Sequence, residues 1–299
     1  MANPVSTCFP SAPRFGARSF IMLLTVMITI AFSGPLHADM IRANLDPKKF
    51  GNLDQDNVPI IGACACGPTA AVNSFVYLQN MFPQIYNKSL VPDTNKDGML
   101  SQPEMAAVAT ILGGAAYMDT RPDIGGTYIE DFIFGKRKYL EEKVPGKTVY
   151  EAQISIKWGR PRAPKPEPSN GIPKPGFVQD MTPARLGFIA QELKDGEDVE
   201  VFVEGPRGSH YLTITGIIYD DTTNIGTTSF IDPATGMAGM AKILGLMGGI
   251  IQTDYQLGGN TSLFHAVSES PVPEPSTVIL FAIGLVGLAG YGWWRRRTA

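Results

Sequence analysis

Two apolar runs near the ends of this chain limit what can fold between them. Arg14 and Arg18 precede a short apolar stretch, Phe20 to Phe32, and small or apolar residues lead from it to Ala38 before Asp39. A basic start, a short apolar core and a small-residue exit read as a secretory signal peptide over residues 1–38. The stretch is short for a spanning helix, which favours removal over an uncleaved anchor. At the other end, residues 277–294 are apolar, with Trp293 and Trp294 at their border and Arg295, Arg296 and Arg297 beyond. Such a segment is long enough to cross a bilayer, with tryptophans at the interface and arginines on the cytoplasmic side. The folding body is therefore expected over residues 39–270, roughly 230 residues, enough for a core of one domain or one with two lobes.

Removing the ends sharpens the charge balance. The chain has 25 Lys and Arg against 28 Asp and Glu, and five of those arginines lie in the end segments, leaving 20 against 28 before any loss of Glu274. An acidic body of that kind argues against a nucleic-acid binder.

Cys8 lies in the signal segment, so the body keeps only Cys64 and Cys66. A disulfide-stapled exported domain would have more cysteines, better separated. A bridge across one intervening residue is geometrically strained. A zinc site would need two more ligands, and the body offers only His210 and His265, at unsuitable spacing. A reactive thiol is the reading that remains, beside the plainer one that both are small apolar fillers. Cys66 opens "CGPTAAVNSFVYLQNMF", where Pro68 and Thr69 suit a helix start and Ala71, Phe75 and Leu78 continue an apolar face. A thiol at a helix N-terminus is stabilised as thiolate by the dipole and the free N–H groups. The same N–H groups suit an oxyanion on an attacked carbonyl. Cys64 reads as ancillary.

A thiol nucleophile needs a base. "DVEVFVEGPRGSHYLTITGIIYDD", Asp198 to Asp221, alternates as a strand, breaks at Gly205-Pro206 and resumes after His210. His210 thus stands where a loop enters a strand. His265, within a late strand, reads as structural. "TSFIDPATG" places Asp232 at a strand end, where its carboxylate can accept from the far imidazole nitrogen and fix the tautomer. The alternative for Asp232 is an ordinary Asp-Pro turn.

These residues carry two resemblances. Pro273-Glu274-Pro275, the apolar stretch and the arginine triplet, in that order, resemble the PEP-CTERM sorting tail of Gram-negative bacteria that make exopolysaccharide. That resemblance implies a membrane transpeptidase-like partner, an exosortase, which removes the tail. Cys-Gly-Pro-Thr opening a helix, then Gly-Ser-His-Tyr-Leu-Thr-Ile-Thr-Gly, then Ile-Asp-Pro-Ala-Thr-Gly, resemble papain-like cysteine peptidases of the C39-like branch. This second resemblance implies an α+β, two-lobed fold, with helices carrying the Cys and a twisted antiparallel sheet carrying His and Asp. It also implies Cys66 as nucleophile, His210 as general base then acid, and Asp232 as orienter. Such sites usually place a Gln about six residues before the Cys, but position 60 is Ile; Gln55 and Asn57 are the nearest amides to complete an oxyanion hole.

A third motif points to a metal. "DTNKDGMLSQPE" fits an EF-hand-type calcium loop, with Asp93, Asn95, Asp97, the Met99 carbonyl, Ser101 and Glu104 as ligands and Gly98 at the turn. A helix is expected to leave the loop, whereas Pro83 and Pro92 interrupt the incoming one. A polar turn that mimics the pattern is the alternative. Trp158 to Gly176 is Pro-rich and basic and reads as an extended loop. Gly236 to Ile251 is apolar and Gly-rich, and suits a buried helix or a substrate-contacting loop equally.

The expected protein is an exported, calcium-stabilised hydrolase of peptide bonds. It would be tethered through its tail in the cell envelope before processing, then surface-bound or extracellular. Its expected partners are the sorting enzyme, a peptide or protein substrate, the membrane and the exopolysaccharide matrix. A non-catalytic surface or matrix binding protein, and an amidase or acyl transferase, are the competing readings.

Overall fold

A computed structural model describes residues 39–87, 89–155 and 177–272. The signal segment, the Pro-rich stretch, the Pro273–Pro275 triplet and the apolar tail fall outside those residues. From Met40 onward the strands are β1 (Met40–Asn44), β2 (Thr148–Ile154), β3 (Phe177–Asp180), β4 (Asp198–Gly205), β5 (Gly208–Asp220), β6 (Ile225–Asp232), β7 (Met237–Met247), β8 (Ile250–Thr253) and β9 (Thr261–Pro271). The helices are α1 (Cys66–Met81), α2 (Pro83–Tyr86), α3 (Gln102–Gly113), α4 (Ile129–Lys143) and α5 (Leu186–Asp195).

Strands β4 to β9 pair in sequence, all antiparallel, and β4 also pairs with β9, which closes a six-stranded barrel. Strands β5 and β9 are long enough to serve twice. The far part of β5 also pairs with β1, and the far part of β9 with β2, on which β3 lies parallel. This overturns the expected two-lobed papain-like arrangement. The sheet closes on itself, and the helices lie against the outside of its wall instead of forming a separate lobe.

The reason is visible in the alternation of β4. Val199, Val201 and Val203 belong to the barrel core together with Leu212, Ile214, Phe230, Ile243 and Leu263. On the opposite face, Phe202 joins the core built by the helices. A strand buried on both faces joins two layers. Helix α1 is correspondingly buried all round, from Cys66 through Gln79, as expected of a helix between a sheet and another helix. Stacking of Phe132 on Tyr211, 4.6 Å between ring centroids, adds to the seam between α4 and β5.

A buried ionic knot lies at the same joint. Lys136 of α4 donates to Asp198 at 3.1 Å, to Glu200 at 2.5 Å and to Glu269, with all four side chains essentially out of solvent. Gly236–Ile251 forms the β7–β8 hairpin, neither a helix nor a loop. Gly248 and Gly249, at φ 60° and 82°, supply the two left-handed residues that a tight hairpin turn requires.

Candidate functional site

The start of α1 is pinned to β5. Thr213 Oγ1 donates to the Ala70 carbonyl at 3.0 Å, and the Tyr211 hydroxyl reaches the Thr127 carbonyl at 3.3 Å. Since Thr213 lies opposite Ile231 in the β5–β6 register, the end of β6 falls beside the start of β5. These constraints bring together Cys66, His210 and Asp232, which are far apart in sequence. His210 Nε2 lies 2.8 Å from Asp232 Oδ1, and the Cys66 thiol is electrostatically coupled to the same imidazole. With Nε2 on Asp232, Nδ1 is the ring nitrogen left to the thiol.

The electrostatics of the three groups interlock. Burial pushes the Cys66 thiol up, but the His210 hydrogen bond and charge, with the Tyr211 and Gly67 N–H groups, bring it below the ordinary thiol value. Burial pulls His210 down, yet its bonds to Asp232 and Cys66 raise it to about 9. Burial likewise opposes the Asp232 carboxylate, which His210, the Ala234 N–H and Tyr255 hold below its usual value. A sulfur deprotonated against a protonated imidazole is the arrangement that activates a thiol nucleophile. Cys66 is only 7% exposed.

Tyr255, between β8 and β9, is a member of the site that carries no sequence signal. Its hydroxyl donates to Asp232 Oδ2 at 2.9 Å, and its ring lies nearly parallel to His210, 6° between planes and 6.1 Å between centroids. Phe230 meets the Tyr255 ring edge-on at 5.4 Å. Asp232 thus spends one oxygen on His210 and the other on Tyr255.

The two amides differ. Gln55 is buried, its backbone N–H donates to the Pro233 carbonyl at 2.8 Å, and its Nε2 donates to the Ala63 carbonyl at 3.0 Å. Gln55 therefore ties the Asp232–Pro233 turn to the stretch just before Cys66. Asn57 turns to Gln102 Oε1 at 3.2 Å, on an exposed surface. The stretch that follows them is strained: Ile60 has φ 76° and is 92% exposed, an uncommon conformation for a β-branched residue. Cys64 is a free thiol, half-buried. His265 is buried, accepts from the Ser155 N–H at 3.0 Å and is lowered to about 4 by burial, which keeps it neutral.

The 93–104 loop is closed by its own hydrogen bonds. Gly98 N–H donates to Asp93 and Asp97 N–H to Asn95, while the Asn95 amide and the Met99 N–H donate to Asp97. The Glu104 carboxylate accepts from Thr94, Asn95 and Ser101, and the Ser101–Glu104 pair forms a capping box on α3. The Ser101 N–H first, then Thr94 and the Ser101 hydroxyl, hold Glu104 down at about 2. Among the described residues, the carboxylate trio that converges most closely is Asp198, Glu200 and Glu269, around Lys136. Also among the described residues, no helix is long and apolar enough to cross a membrane.

Residues 271–297 match the family described as the PEP-CTERM protein-sorting motif. No curated protein matches the chain. The tail therefore marks an exported protein that is membrane-anchored in the cell envelope before processing and is recognised by an exosortase-type sorting enzyme.

Proposed function

We propose that this sorted, exported protein is a thiol hydrolase of peptide bonds, with Cys66 as nucleophile, His210 as general base then acid, and Asp232 as orienter. The observation that supports this reading is the coupling of the Cys66 thiol to His210, whose Nε2 lies 2.8 Å from Asp232 Oδ1. The Cys66 thiolate attacks a carbonyl carbon, and His210 protonates the leaving amine as the tetrahedral intermediate collapses. Water, activated by His210, then releases the acyl group and regenerates the thiolate; an amine in its place gives acyl transfer. The N–H groups at the start of α1 face the developing oxyanion, and Gln55 joins them if its amide leaves the Ala63 carbonyl.

That engagement of Gln55 favours one competing reading: a binding protein that retains the thiol without turnover. Hydrolysis of a peptide library by the mature protein separates the two. Turnover that a Cys66→Ser change reduces by at least about 10³-fold supports the hydrolase, and equal background cleavage by both proteins supports the binding protein.

Calcium is the ion we propose for Asp93, Asn95, Asp97, Met99, Ser101 and Glu104. The support is the chemistry of the donors, all oxygens on one loop with Gly98 at its turn, which suits a hard cation. The contacts of Thr94, Asn95 and Ser101 with Glu104 would have to be exchanged for the metal. A thermal midpoint that rises with calcium, and no longer does so in Glu104→Gln, is expected; an unresponsive midpoint removes calcium from the account.

A further inference from the structure

The barrel has two unlike ends. Strands β5, β7 and β9 run one way and β4, β6 and β8 the other. His210 near the start of β5, Asp232 at the end of β6 and Tyr255 after β8 therefore gather at one end. The finishing ends of β5, β7 and β9 and the starts of β1, β6 and β8 gather at the other. That second end carries Met40, Ile225, Leu244, Leu246 and Met247, each between 43% and 66% exposed. Ile225 and Leu244 are direct cross-strand partners, and Leu246 and Met247 continue the stripe to the Gly248-Gly249 tip. An apolar patch of this kind on a folded chain marks a contact surface.

We infer that this end of the barrel rests on the lipid bilayer while the sorting tail is in place, with the β7–β8 tip entering the interface and the Cys66 site facing away from the membrane. The attachment point argues for lipid as the occupant. Strand β9 finishes at Pro271 on this same end, and the apolar stretch of the tail begins at residue 277. Six residues at 3.3–3.6 Å each reach about 20 Å at most. A tail seated in the bilayer therefore keeps Pro271 within about 20 Å of the lipid, at the finishing end of β9 and away from the site end. Asp220 and Asp221 lie at the same end, so apolar insertion drives the contact and attraction to anionic headgroups does not.

The test uses the full chain, tail intact, in phosphatidylethanolamine vesicles with and without phosphatidylglycerol, each containing a lipid with a photoactivatable acyl chain. Adducts are mapped by mass spectrometry. Adducts are expected on residues 244–250 as well as on the tail, at similar yield in both lipid mixtures. A Leu246→Glu, Met247→Glu double variant is expected to lose at least about tenfold of the 244–250 adducts while its tail adducts stay unchanged. The tail adducts report membrane insertion separately, and Cys66 reactivity, which this inference does not need, is expected to stay constant. Adducts confined to the tail would overturn the inference. So would protection of 244–250 that follows protein concentration and not lipid, the mark of a second copy on the same patch.

Discussion

Two places in this molecule bury several ionisable side chains, and they do so in opposite ways. At the joint between α4 and the barrel wall, Lys136 is enclosed by Asp198, Glu200 and Glu269. At the end of the barrel, Cys66, His210, Asp232 and Tyr255 form a line in which each group serves the next. The knot is closed: its ammonium meets three carboxylates and the face of Phe75, and holds two layers together. The line is open, because its last member is a sulfur with no acid of its own to stabilise. Burial makes both sensitive to the loss of a single partner, but only the line leaves a group available for chemistry.

The largest effect should come from breaking the knot. Lys136→Met leaves three carboxylates in apolar surroundings and should cost about 3–5 kcal/mol of stability. The thiol reactivity of the molecules that still fold should match that of the native protein. Denaturant unfolding with alkylation of the folded fraction measures both, and loss of reactivity in the folded fraction would mean that the two regions are coupled.

Next is the pH dependence of the knot. Burial pushes Glu200 up to about 7, with Lys136 pulling against it and Asp198 adding repulsion, and burial likewise drives Glu269 well above its ordinary value. A folded-state pKa above the unfolded one means that folding takes up protons. The contribution of Glu200 is therefore full below about 4.5 and is lost as pH rises through about 7. His210, raised to about 9, adds a second loss between about 6.5 and 9. Glu200→Gln should flatten the first slope and leave the second. If the stability curve of Glu200→Gln keeps its slope between pH 5 and 7, the excess proton of the knot resides elsewhere.

A smaller effect sharpens the description of the line. Tyr255→Phe keeps the ring beside His210 and removes the hydrogen bond to Asp232 Oδ2. Hydrogen bonds to charged groups are worth about 1.5–3 kcal/mol, only part of which reaches Cys66 through His210. Relieved of that donor, Asp232 becomes the stronger base and holds the His210 imidazolium more tightly, so the expected result is a reactive limb displaced to lower pH. A slower rate with an unmoved pH profile would make Tyr255 a packing residue only.

Much of the line was legible because its members sit at punctuation. Cys66 opens a helix, His210 stands two residues into a strand after a Gly-Pro break, and Asp232 ends a strand before proline, each marked by local signals. The bond from Tyr255 to Asp232 was not legible, because it depends on barrel closure, a long-range fact that leaves no pattern within a window. The knot was hidden for the same reason: Asp198 and Glu200 are the polar half of an alternating strand, and nothing within that window says that α4 covers them. The papain-like expectation failed at this level too, since three short motifs fix neighbours but not whether β4 also pairs with β9. Strand β7 was ambiguous for a different reason. Apart from Lys242 its large outward residues are Met and Leu, so most of the polar half of the alternation that identifies a half-buried strand is missing.

The most direct test of the central claim is the alkylation rate of Cys66 as a function of pH, mapped by mass spectrometry against Cys64, in the native protein and in His210→Ala. The account predicts that Cys66 reacts below the ordinary thiol value of about 8.5, and that its reactivity changes again near pH 9, where His210 loses its proton. It also predicts that His210→Ala moves the limb to or above the ordinary thiol range. A Cys66 that titrates near 8.5 in both proteins, or is bridged to Cys64, would contradict it.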